Sequence, residues 1–323
     1  MNKYNLGFIS DENIYNHVKT TVLQYRRNID FVSCPTAASV DGFCSSVAAM
    51  TWNECKKTLT AKAPRIVIAD TDVIKAAPIH LAKSGFGDMI GKYVALSDWK
   101  IANIITDEFY CDRNAGLTYD ATNAVRDSVE GILKREEKAF EKLMYGLLLS
   151  GIAMQMIGNS RPASGAEHHI SHLIEMNPRG LGVSSDALHG EKVGVGTLLA
   201  IEEYQRLASR EKTSFKDYSE FNEADIVRVF DESKLEDISA ENRNDSAIDI
   251  TAEMLSAGWS RICEVIRSLP DISKLKELYL NAGIKSSLSD IGVGDDMAKD
   301  LLTYSPMVRN RLTLMRLRKC ICD

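Results

Sequence analysis

Long apolar runs are missing from this chain. The longest, Leu143–Ile157, is broken by Tyr145, Ser150 and Gln155, too short and too polar to span a bilayer. No basic start followed by an apolar stretch marks a secretory leader, so a cytoplasmic location is expected. Positive charge is in deficit, with 39 Lys and Arg against 45 Asp and Glu. That argues against nucleic-acid or membrane-surface binding, which needs a basic face. Trp52, Trp99 and Trp259 are isolated and offer no stacking pattern for bases. The cysteines number seven, an odd count at scattered spacing, as expected of free thiols in a reducing compartment. Cys320 and Cys322 read as thiols of a frayed end. Glycine is scarce at the start, where Gly7 is the only one before Gly42.

What is present is the composition of a globular protein, 45% apolar and 26% charged over 323 residues. At roughly 100–200 residues per domain this gives two domains or one large one. The first 75 residues read as α/β. Residues 11–25 have helical spacing through Ile14, Val18, Val22 and Tyr25. Asp30–Cys34 and Pro64–Asp70 read as strands about 30 residues apart, the spacing of a parallel sheet. Gly42–Lys56 between them reads as small, buried and irregular.

After Ala76 the pattern is helical. Helices are expected at 79–84, 88–98, 119–158 as two, 167–175, 193–207, 219–230, 248–269, 272–282, 295–302 and 309–322. The charged stretch 231–247 reads as a loop or short helix. A boundary near residue 75 divides an α/β segment (1–75) from an all-helical one (76–323). The arginines of the last helix (Arg309, Arg311, Arg316 and Arg318) read as a solvated face, with Arg309 or Arg311 within reach of a phosphate.

The chemistry concentrates in histidine. Of the chain's six, His168, His169, His172 and His189 fall within 22 residues. His168 and His172 are four apart and share a helix face, and imidazole is the commonest transition-metal ligand near neutral pH. Gly190, beside His189, permits a close backbone approach. Asp88 stands among Gly85, Gly87 and Gly91, either as a helix N-cap or as an inward carboxylate. Gly194 and Gly196 follow no strand and read as close helix packing, not a dinucleotide turn.

These blocks resemble the glycerol-1-phosphate dehydrogenases of the iron-containing alcohol dehydrogenase and dehydroquinate synthase superfamily. The matching stretches run in family order: Pro35-Thr36-Ala37-Ala38-Ser39-Val40-Asp41-Gly42-Phe43, Ile68–Ile74, Ser84–Lys92, Ser97–Lys100, Arg161–His172, His189–Thr197 and Arg309–Leu314. The resemblance implies a dehydroquinate synthase-like fold, here a reduced α/β N-terminal domain before an all-α metal-binding domain. It implies Asp88, His168 and His189 as ligands of Zn²⁺ or Fe²⁺, His172 near the reacting centre, Asp41 on the substrate hydroxyls, and Thr36 and Ser39 on the cofactor. Lys92 and Lys192 become candidate contacts for an anionic group, while His169 is left to cap or face solvent. Three protein ligands leave the open position of a catalytic ion.

One departure stands out. In the family a glycine-rich turn cradles a pyrophosphate; the segment here reads Gly7-Phe8-Ile9-Ser10-Asp11-Glu12-Asn13-Ile14, and its acids argue against ordinary NAD(P) binding. Three functions follow. The first is a metal-dependent oxidoreductase acting on a secondary alcohol or ketone of a small polyol phosphate. The second is a metal-dependent lyase or isomerase without nicotinamide. The third is a non-catalytic homologue partnering a true dehydrogenase. A homo-oligomer or a partner subunit is compatible with each.

Overall fold

The computed structural model describes residues 28–52 and 55–322. The helix expected over residues 11–25 and the acidic turn Gly7–Ile14 lie outside the described residues. Strand β1 (Val32–Ser33) pairs in parallel with β4 (Ile66–Val67), Val32 opposite Ile66. Both expected strands are present, and in the expected sense. Between them β2 (Val47–Trp52) and β3 (Cys55–Thr60) form an antiparallel pair with Val47 opposite Thr60. This corrects the irregular reading of Gly42–Lys56. Alanine and lysine are poor strand formers, and backbone pairing overrides that preference here.

After β4, Asp70 caps helix α1 (Thr71–Ala76), its carboxylate accepting from the amides of Asp72 and Val73. Helix α2 (Ile79–Thr106) follows as one continuous element where two were expected. Almost every residue from Leu81 to Ala102 is buried, as befits a helix apolar on all sides. Gly85, Gly87 and Gly91 do not break it, because their missing side chains admit neighbouring backbone. A Cβ on Gly85 would stand 2.1 Å from the carbonyl oxygen of Ala38. Ala38 thereby belongs to the main apolar core together with Phe86, Met89 and Leu147.

The 119–158 stretch resolves into α3 (Asp112–Arg126), α4 (Val129–Leu133) and α5 (Glu137–Ile157). One break falls at Arg135, whose φ is +57°. Helices α6 (Ala166–Glu175) and α7 (His189–Ala208) pack across α2. The remainder comprises α8 (Glu223–Phe230), α9 (Leu235–Glu241), α10 (Ala252–Arg267), α11 (Ile272–Asn281), α12 (Ala298–Tyr304) and α13 (Leu314–Leu317). Helix α9 is the short helix anticipated within 231–247. Among the described residues no helix is long and apolar enough to cross a membrane.

The last segment departs most from expectation. A four-residue helix replaces the one expected over 309–322. Arg316 is fully buried and binds the Asp245 carboxylate at 2.6 Å, Asn242 at 2.8 Å and the Pro306 carbonyl at 2.5 Å. Spacing alone cannot tell a solvated arginine face from one spent on internal acceptors. Nor is the tail frayed: Cys320 is buried, its carbonyl accepts from the Lys216 amide, and the Cys322 amide donates to the Ser214 carbonyl.

Asp98 ties four elements together. Its Oδ1 accepts from the Tyr204 hydroxyl and the Leu314 amide, and its Oδ2 from the Ala166 amide, each at 2.8 Å. Burial nevertheless pushes its carboxyl up to about 7. The folded state therefore holds a proton that the unfolded state releases near 3.8. Stability contributed by this group is present at low pH and falls as pH rises from about 4 to about 7.

Two predictions arise from this packing. Urea denaturation across pH 4.5–7.5 will show that Asp98→Asn makes the change of unfolding free energy with pH more positive than in the wild type, because the declining contribution of this carboxyl is removed. Gly85→Ala will cost about 1–3 kcal/mol, since backbone must move to admit the methyl. Gly116→Ala, in helix α3 with open space around its Cβ, will instead gain about 0.5–1 kcal/mol.

Candidate metal centre

Two helix backbones meet closely where Asp88 and His189 sit. A Cβ on Gly87 would fall 2.3 Å from the Gly190 carbonyl oxygen, and one on Gly190 would fall 2.0 Å from that of Ser84. Gly196 similarly faces the Glu167 carbonyl at 2.7 Å. Asp88 on α2, His168 on α6 and His189 at the start of α7 are thereby brought together. One ligand atom from each lies within 4.8 Å of the others. Asp88 is no N-cap: it lies in the middle of α2 and is fully buried.

The carboxylate of Asp88 is surrounded by donors. Its Oδ2 accepts from the Asp41 amide at 3.0 Å; its Oδ1 accepts from Lys92 Nζ at 2.9 Å and stands 3.6 Å from His168 Nε2. Burial alone would raise its pKa, but Lys92, His168 and His189 outweigh that and hold it down at about 2. Asp88 is thus a permanent anion here. The donor set of one carboxylate and two imidazoles suits Zn²⁺ or Fe²⁺.

Asp41 enters from the loop after β1. Its Oδ2 lies 2.7 Å from Lys92 Nζ and accepts from the Ser150 hydroxyl, also at 2.7 Å. Lys92 is fully buried, divided between Asp41, Asp88 and the Ala163 carbonyl. These anions hold its pKa well above the ordinary lysine value although burial opposes them. All three partners belong to the protein, so Lys92 is an internal counter-ion, contrary to the expectation of an anionic-substrate contact.

His172 lies beside the other two rings, 5.9 Å from His168 and stacked at 6.0 Å on His189. Lys192 is nearly buried, 3.4 Å from the Ser185 carbonyl and 3.7 Å from Glu175. Thr36 is exposed and Ser39 half-buried, with the Ser39 carbonyl accepting from the Ser84 hydroxyl. His169 neither caps nor faces solvent. It is buried with both ring nitrogens lacking hydrogen-bond partners, and burial together with Arg311 pushes its pKa well down. The Arg311 guanidinium donates to the Ser164 carbonyl at 2.5 Å and the Ser160 hydroxyl at 2.7 Å, so part of its donor fork is held within the protein.

Sequence reasoning missed two acids. Glu167 Oε1 lies 2.7 Å from His168 Nδ1, and Glu175 Oε1 lies 2.8 Å from His189 Nδ1. Glu175 also closes a second triad with His172 and His189, again within 4.8 Å. The available signal was that both acids share α6 with His168 and His172.

Known proteins supply context for this geometry. A family model described as iron-containing alcohol dehydrogenase matches residues 15–78. Glycerol-1-phosphate dehydrogenase [NAD(P)+] of Geobacillus stearothermophilus is 34% identical over 300 residues, 93% of this chain and 68% of that protein. The same-named protein of Geobacillus thermodenitrificans is 45% identical over 196 residues, 59% of this chain and 47% of that protein. The chain thus spans 47% to 68% of the length of these relatives. A crystal structure of 1,3-propanediol oxidoreductase superposes with a TM-score of 0.50 at 18% identity, covering 88% of this chain and 62% of that one. This likeness is one of fold.

If the triad holds a divalent cation, Zn²⁺ at about a hundred times its Kd will stabilise the chain by about 2.7 kcal/mol. Thermal or urea denaturation with and without Zn²⁺ measures this. Asp88→Ala will remove the metal-dependent increment.

Proposed function

We propose that this chain, which belongs to the glycerol-1-phosphate dehydrogenases of the iron-containing alcohol dehydrogenase family, is a metal-dependent oxidoreductase that interconverts the secondary alcohol of glycerol 1-phosphate and its ketone. The observation that carries this reading is the convergence of Asp88, His168 and His189 from three helices, with Asp41 and His172 beside them. The relatives' names give the substrate class. The same reading keeps residues 1–75 as an α/β part and 76–323 as a helical metal- and substrate-binding part, within a cytoplasmic protein.

Asp88, His168 and His189 would hold Zn²⁺ or Fe²⁺. When bound, the cation polarises the alcohol or ketone oxygen and the nicotinamide accepts or delivers the hydride. Asp41, held in place by Ser150 and Lys92, accepts hydrogen bonds from the substrate hydroxyls. His172 takes the hydroxyl proton in oxidation and returns it in reduction. Lys192 is the candidate contact for the phosphate, and Thr36 and Ser39 are the candidates on the cofactor side.

NAD(P) is the proposed hydride carrier. The acids Asp11 and Glu12 argued against it, but they lie outside the described residues, and the relatives are named as NAD(P)+ enzymes. Nothing in the site or the relatives favours a nicotinamide-free lyase or a non-catalytic homologue.

Zn²⁺-loaded protein will oxidise NADH or NADPH when given dihydroxyacetone phosphate, followed by absorbance at 340 nm. His172→Ala will lower kcat by about a hundredfold or more with bound metal retained. The reading is overturned if metal is bound but calorimetry detects no nicotinamide binding up to millimolar concentration.

A further inference from the structure

We infer that Glu167 and Glu175 are the positioning residues of the metal centre: each takes the Nδ1–H of one ligand imidazole and so presents its Nε2 to the ion. This rests on the proposed Asp88–His168–His189 reading and deepens it.

The tautomers follow from the partners. An ionised carboxylate can only accept, so the nitrogen facing it carries the hydrogen. With Nδ1 of His168 and of His189 each against a glutamate oxygen, the lone pair of each ring is on Nε2. His168 Nε2 is the atom that approaches Asp88. A carboxylate behind a ligand histidine both fixes the ring and raises its basicity.

Local preference does not explain either acid. Neighbours one apart on a helix do not face each other. Glu167 reaches the His168 ring only because it lies in the first turn and folds back over the helix start, where the same Oε1 accepts from the Gly165 amide at 2.8 Å. It is fully buried, and its Oε2 has no hydrogen-bond partner. Among the described residues no lysine or arginine forms an ion pair with it. Glu175 ends helix α6, where the helix dipole disfavours an anion. Both are held against these costs.

The charges around the triad supply a reason. Asp41, Asp88, Glu167 and Glu175 are four carboxylates, and Lys92 and Lys192 are two ammonium groups among them. Carboxylates therefore outnumber ammonium groups around the triad. Burying that excess is costly, and a divalent cation would cancel it.

The test is Zn²⁺ affinity, measured by competition with a chromophoric chelator, in the wild type, Glu167→Gln, Glu167→Ala, Glu175→Gln, Glu175→Ala and Asp88→Ala. The alanine variants should bind about 10–100-fold more weakly. The glutamines, which keep an acceptor, should fall between alanine and wild type. Co²⁺ substituted into each glutamate variant should keep the visible absorption intensity of the wild type, because the ligand count is unchanged. The inference is overturned if Asp88→Ala abolishes binding while the glutamate variants bind like the wild type. It is equally overturned if Glu175→Gln binds as weakly as Glu175→Ala with an altered Co²⁺ spectrum, which would make Glu175 a ligand within the second triad. Unimpaired binding by Asp88→Ala would instead remove the metal-centre reading itself.

Discussion

The candidate centre depends on how closely two helix backbones can approach. Gly87 on α2 lies against Gly190 on α7, and a methyl on either would collide with main-chain oxygen. Ordinary helix pairs keep their axes about 8–10 Å apart because side chains separate them. Removing the side chains at this crossing places Asp88 and His189, one residue along each helix, on opposite walls of the same small space. Gly196 does the same for α7 against α6, which carries His168 and His172. Three separate helices thereby contribute to a single cluster.

A second constraint is the handling of buried charge. Asp88 and Asp98 are both fully buried on α2, yet their environments differ. Asp98 meets two backbone amides and a tyrosine hydroxyl, and burial dominates, so its carboxyl rises to about 7. Asp88 meets a lysine and two histidines, and those groups hold it at about 2. The first carboxyl pins α6, α7 and α13 to α2. The second is kept charged and surrounded by groups that themselves exchange protons or bind cations. Neighbours, not residue type, separate the structural acid from the one suited to an ion. Arg316 makes the same point in reverse: a charged side chain is used wholly within the fold.

Much of the architecture was legible in the sequence. The short apolar run at Asp30–Cys34 and the β-branched run at Pro64–Asp70 mark a parallel pair, and the change to helical periodicity after Ala76 marks the all-α part. Helix α2 runs unbroken through Gly85 and Gly87, which lie between the two expected helices. Their cost, about 1 kcal/mol each in an isolated helix, is offset only by partners the sequence does not display. The hairpin at β2 and β3 was hidden by residues of low strand preference. The final helix was overextended because arginines at helical spacing carry no information on whether water or protein satisfies them.

By itself the sequence determined which side chains were available for chemistry: a rare concentration of histidine, an acid framed by glycines, and an ordered series of blocks placing Asp41, Asp88, His168 and His189 in one lineage. The first two are properties of spacing along single helices and loops, and the third is what the family resemblance implies. Tertiary packing decided the rest. It committed Lys92 to Asp41 and Asp88, buried His169, tied Arg311 to Ser160 and Ser164, and set Glu167 and Glu175 behind two imidazoles. The physical reason is that electrostatic partnership depends on distance in space and on exclusion of water. Both are set where helices cross, and neither is written in the order of residues.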